Sequence, residues 1–164
     1  MQNITRIVIK RYLGYFDEPK FSCNKVTITE NSIAYEYVPQ IEKSEIDYIP
    51  IEHQSESETT MDMYSERKWS YKTNSPIFKS IYNEIIKMIP EIFERKTGFY
   101  LDVGAIELIV TYSDKSKMSR DFYDNGDDLN DFFTVIKRLV PLTEQIPDVL
   151  LTSNDFEEDS DDED

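Results

Sequence analysis

Residues 69–90 read WSYKTNSPIFKSIYNEIIKMIP, and the change of period inside this stretch decides the fold. Trp69, Ser70, Tyr71, Lys72 and Thr73 alternate aromatic and polar side chains, the two-residue period of a half-buried strand. Ser75 can cap a free backbone N–H and Pro76 fits the first helical position, so a helix is predicted to start there. Phe78, Ile81, Ile85, Met88 or Ile89, and Ile92 then recur at helical spacing. Pro90 predicts an end or kink at Ile89.

Working outward towards the C-terminus, Tyr100–Tyr112 is the most β-like run, with Ile106, Leu108 and Val110 on one face and Glu107, Ile109 and Thr111 on the other. Ser113–Ser116 supplies turn chemistry, and Lys117–Tyr123 returns as a polar partner strand. Leu129, Phe132, Phe133, Ile136, Leu139 and Val140 make one apolar helical stripe. Asp127, Asp128 and Asp131 sit at its start and Lys137 and Arg138 at its end, each sign complementing the helix dipole; Pro141 is expected to close it. Leu142–Ser153, with Val149-Leu150-Leu151, is expected to pack back on the body.

Towards the N-terminus, Ile4–Tyr12 reads as a strand and Leu13–Phe21 as a loop. Cys23–Thr29 and Ser32–Val38 read as a hairpin around Glu30-Asn31, with Ile33, Tyr35 and Tyr37 on one face and Pro39 as its end. The expected fold is α+β: a single domain over residues 1–153 with a mostly antiparallel sheet of about six strands, two main helices on one face, and the order ββββαββα.

The formal net charge of −15 is unevenly spread. Ile41–Glu66 holds eight acids and one base, and Asn154–Asp164 holds eight acids and no base. The remaining residues hold seventeen of each. The first segment is an acidic insertion whose Ser, Glu and Thr content points to disorder; the second is an acidic tail. Extended at about 3.3 Å per residue, the tail places one charge per roughly 4.5 Å, close to the roughly 3.4 Å phosphate interval along a DNA strand.

Catalytic and metal chemistry find little support. His53 is the only histidine; with Glu52, Glu56 and Glu58 it makes at most a weak ligand set. Placing Gly126 at the sixth position of a calcium loop puts Tyr123 at the third and Phe132 at the twelfth, so the register fails. A turn entering a helix explains that cluster. The glycines are scattered singly and no Ser or Cys nucleophile has a base beside it in sequence. Asp102, Glu107 and Asp121 could serve carboxylate chemistry, but Ile109 stands where a lysine would be wanted. No catalytic residue, cofactor or metal is therefore expected.

Single Cys23 excludes an internal disulfide framework, and neither a signal-like apolar run nor a membrane-length stretch occurs, which favours the cytoplasm. Abundant Ile, Lys, Asn and Tyr with few Ala suggests a bacterial or phage genome rich in AT. Arg67, Lys68 and Lys72 with Trp69 and Tyr71, and Arg6, Lys10 and Arg11, form basic strands, but the whole-chain field opposes direct nucleic-acid binding. Local acids or the tail are the expected partners of those bases.

The expected function is a non-enzymatic acidic protein that binds and blocks a basic surface, of the kind found on a nuclease or other nucleic-acid-handling enzyme. A nucleic-acid mimic such as a phage anti-defence or anti-CRISPR inhibitor has this charge, as does an immunity protein against a nuclease toxin. The expected contact residues are Asp155, Glu157, Glu158, Asp159, Asp161, Asp162, Glu163 and Asp164, with Glu52, Glu56, Glu58 and Asp62 second. The alternatives are a small regulatory or structural bacterial domain whose tail aids solubility, and a carboxylate-based hydrolase or nuclease.

Overall fold

The computed structural model describes residues 2–12, 20–40, 65–96, 104–123 and 126–156. Six antiparallel strands, β1 (Ile4–Tyr12), β2 (Lys20–Thr29), β3 (Ser32–Gln40), β4 (Arg67–Lys72), β5 (Ala105–Tyr112) and β6 (Lys117–Phe122), form one sheet in the order β4-β3-β2-β1-β5-β6. Helix α1 (Pro76–Glu94) carries the chain from the β4 edge to β5, on the far side of β1. Helix α2 (Asn130–Lys137) follows β6. The α+β class, the antiparallel sheet and the order ββββαββα are as the sequence implies.

Alternation along each strand gives the sheet two faces. Ile7 and Ile9, Val26 and Ile28, Ile33, Tyr35 and Tyr37, and Ile106, Leu108 and Val110 form the covered face, all 3% exposed or less. Phe78, Ile81, Tyr82, Ile85, Ile89 and Ile92 of α1 and Phe132, Phe133 and Ile136 of α2 close over it in one core. Burying a large aliphatic or aromatic side chain contributes about 1.5–3 kcal/mol, so this face supplies most of the driving force for folding.

Three local expectations need correction. Helix α1 does not end at Ile89 but runs to Glu94 with Pro90 inside it. An interior proline costs about 3 kcal/mol, yet Ile89 and Ile92 on either side are 2% and 0% exposed and hold the last turn on the sheet. Pro39 does not end β3, because it pairs with Phe21 where β2 has a register shift, and the β3–β4 ladder has already stopped at Tyr37. A proline is tolerated at such a bulge beyond the partner strand. Ser75 occupies the N-cap position of α1 without a side-chain cap bond. Its N–H is taken by Thr73 Oγ1 at 3.0 Å, a local turn that replaces the expected cap.

Helix α2 is shorter than its apolar stripe. Leu129 belongs to a 3₁₀ turn at Asp127–Leu129, and Leu139 and Val140 lie in a tightening turn after Lys137, before Pro141 is reached. All three side chains are nevertheless buried. The entry requires Gly126: its φ is 84°, and an added Cβ would lie 3.1 Å from Phe133 Cε2. Thus Gly126–Asp128 forms the turn into a helix that the sequence suggests, while Asp124 and Asn125 lie outside the described residues.

Candidate functional site

No described element crosses the outer face of the sheet. Its register aligns Ser70, Ala34, Thr27, Val8, Ile109 and Ser119 in one uncharged row across all six strands. On one side runs the row Lys68, Glu36, Lys25, Lys10, Glu107 and Asp121. On the other side stand Lys72, Arg6 and Lys117 among Ser32, Thr29 and Thr111. These rows carry six cations and three carboxylates, and Glu66, 2.9 Å from Lys68, adds a fourth, a formal +2 in a chain of −15.

Two of the carboxylates considered for catalysis meet here. Glu107 and Asp121 are direct register partners. Tyr12 donates its hydroxyl to Glu107 Oε2 at 2.8 Å, and Tyr123 reaches Asp121 Oδ2 at 3.4 Å. Burial, then the hydrogen bond and charge of Glu107, push the Tyr12 phenol up to about 12, so it remains a neutral donor at physiological pH. Asp102, the third carboxylate, lies outside the described residues. Among the described residues no group of three His, Cys, Asp or Glu could hold a metal ion. The Cys23 thiol is raised by burial and by Glu36, opposite to the activation a nucleophilic cysteine needs.

The basic strands are largely engaged. Arg67 donates from Nη2 to Asp148 Oδ2 at 2.9 Å and lies 4.5 Å over the Tyr37 ring. Lys68 pairs with Glu66 at 2.9 Å and Glu36 at 3.8 Å. Arg11 donates to the carbonyls of Val149 and Leu151, at 3.3 and 2.8 Å. These contacts bring the 146–152 part of the Leu142–Ser153 segment back on the body, with Val149 and Leu150 fully buried, while Leu142 at its start is fully exposed.

Asp155 differs from its neighbours in the acidic tail. It lies in a 3₁₀ turn, Ser153–Phe156, where Oδ2 accepts the Thr152 N–H at 2.8 Å and Oδ1 accepts from Lys137 Nζ at 2.6 Å. Burial, the largest single influence, would raise its carboxyl, but the hydrogen bond and charge of Lys137 and the Thr152 bonds together outweigh it and the net shift is downward. This carboxylate clasps the tail's root to the body. Glu157, Glu158, Asp159, Asp161, Asp162, Glu163, Asp164, Glu52, Glu56, Glu58 and Asp62 lie outside the described residues, as does His53. The described residues hold seventeen bases and fifteen acids, which leaves one base and eighteen acids to the rest.

Two arginines escape the sequence reading. Arg120, on the covered face of β6, donates to the carbonyls of Ile92, Phe93 and Arg95, and so caps the C-terminal end of α1. Arg95 joins that end to α2 through Glu91, Asp131 and the Asp128 carbonyl. The available signal was an arginine at a core-facing position of β6, between Met118 and Phe122. Beside this knot a groove of about 1310 Å³ runs between α1 and the sheet, with Ile4, Ile86, Phe93, Tyr112 and Met118 among its walls. No helix among the described residues is long and apolar enough to cross a membrane.

No family model matches the sequence, and no curated protein or solved structure matches it.

Proposed function

We propose that the chain is a non-enzymatic, cytoplasmic interaction protein of bacterial or phage origin whose acids bind and block a basic surface. The partner class that fits is a nuclease or another nucleic-acid-handling enzyme, blocked by a nucleic-acid mimic of the anti-CRISPR kind or by an immunity protein. One observation carries this reading: residues 41–66 and 154–164 hold sixteen acids and a single base, while the rest of the chain is balanced at seventeen of each. Charge segregated in this way steers association and can replace phosphate contacts without changing the fold.

The test is affinity capture from native-host lysate along a salt series, using the full chain and a chain ending at Phe156, which keeps the Asp155 clasp. Capture of a basic nucleic-acid enzyme by the full chain alone, lost as salt rises, supports the reading. The same partner on both baits, insensitive to salt, moves binding to the folded body. The groove beside α1 favours that second reading, a regulatory or structural domain with a solubilising tail. A carboxylate hydrolase has only the Glu107–Asp121 pair in its favour.

A further inference from the structure

We propose that the outer face of the sheet is a cationic dock for the acidic segment 157–164 of the same chain. Lys10 and Lys25 are direct cross-strand partners, so two lysines stand side by side on adjacent central strands. Like charges so placed are destabilising. Each has one acid across its other ladder, Glu107 for Lys10 and Glu36 for Lys25, and Glu36 is shared with Lys68, which Glu66 also pairs at 2.9 Å. An anion over the Lys10–Lys25 pair relieves their repulsion.

The occupant follows from charge and reach. A second copy laid on this face would oppose a net +2 with another +2. A foreign nucleic acid meets the net charge of −15, and the described aromatics at this end of the face, Tyr12 and Tyr123, stand beside the carboxylates Glu107 and Asp121, where a phosphate backbone is repelled. Residues 157–164 carry seven acids and no base. The chain leading to them passes beneath that end of the sheet, where Arg11, next to Lys10 in sequence, donates to the Leu151 carbonyl and Arg67, next to Lys68, to Asp148, before Asp155 fastens it to Lys137. Eight residues extend to about 26 Å, well beyond the roughly 10 Å thickness of a packed sheet layer. Tethering also holds the segment at an effective concentration in the millimolar range. This dock requires no partner protein and stands or falls separately from the capture experiment.

Amide NMR spectra of the full chain and of the chain ending at Phe156 test it. Truncation is expected to shift the resonances of Lys10, Lys25, Thr27 and Lys68, and a synthetic 157–164 peptide added at millimolar concentration restores them. About 1 M salt, where the screening length falls to about 3 Å, abolishes the restoration. In a folded Lys10→Glu/Lys25→Glu double variant, with dispersed core resonances as its control, truncation should shift nothing on this face. Unmoved outer-face resonances on truncation would overturn the dock, as would shifts confined to the groove beside α1. Shifts that appear only on neutralising Glu52, Glu56, Glu58 and Asp62 would overturn it in favour of the other acidic segment.

Discussion

The two faces of the sheet use the same strands and differ in almost every physical respect. The covered face is built of Ile, Val, Leu and Tyr at near-zero exposure under two helices. The outer face has a row of small or β-branched residues flanked by charges of both signs, and its most buried aliphatic, Val8 at 9%, lies outside the main core. One side holds the fold together, while the other leaves charge available for contact. The largest effects should therefore separate the faces. Phe132→Ala or Ile85→Ala should cost about 3–5 kcal/mol. Ile109→Ala on the outer face should cost about 1 kcal/mol. Denaturant midpoints at constant m-value check this, and an equal cost for Ile109 would mean that the outer face is covered by a packed layer.

The contrast extends to how charge is used on each side. Arg67 lies on the covered side, where its guanidinium is partly buried on Tyr37 and bonded to Asp148. Burial alone would lower its pKa, but Asp148 turns the shift upward, so the cation is retained. Arg67→Met should cost about 1–2 kcal/mol, a charged hydrogen bond discounted for solvent exposure. A double-mutant cycle with Asp148→Asn should find coupling between the two. Lys72→Met on the outer face should be nearly neutral, and coupling as large there as at Arg67 would erase the distinction.

Asp155 allows a smaller test through pH. Its folded carboxyl lies below the ordinary aspartate range. A depressed carboxyl contributes stability fully present above its unfolded value, about 3.9, and lost as pH falls through the lower folded value. Asp155→Asn should therefore lose a contribution that the parent retains down to the acid limb below about pH 4. Asp131 shifts in the same direction through its Arg95 hydrogen bond, so the difference between parent and variant is the quantity to follow. A pH-independent difference would mean that the Thr152 and Lys137 contacts do not persist in solution.

Strand and helix types were legible because Ile33, Tyr35 and Tyr37, or Phe132, Phe133 and Ile136, impose a period that burial then satisfies. The two faces were legible from the same alternation. Features that depend on neighbours in space were not. Nothing local to Pro90 indicates that Ile89 and Ile92 would hold the helix past it, or that Arg120 would cap the end from β6. Asp155 looked like one more tail acid, because its partners Thr152 and Lys137 come together only after α2 and the C-terminal segment pack. The outer-face cations were visible singly, yet their rows are set by strand order, which places β1 between β2 and β5.

Ser75 gives the smallest expected effect and tests the same principle, that local chemistry yields to neighbours. A serine before Pro76 normally accepts a backbone N–H of the first helical turn, and its loss costs about 1 kcal/mol. Here its side chain makes no cap bond, and Thr73 Oγ1 instead fixes the Ser75 N–H. Ser75→Ala should therefore change stability by less than about 0.5 kcal/mol, while Thr73→Val, which removes the acceptor, should cost more. Chemical denaturation of both variants decides the order. If Ser75→Ala proves the costlier, the hydroxyl caps α1 in solution, and the start of the helix follows local sequence after all.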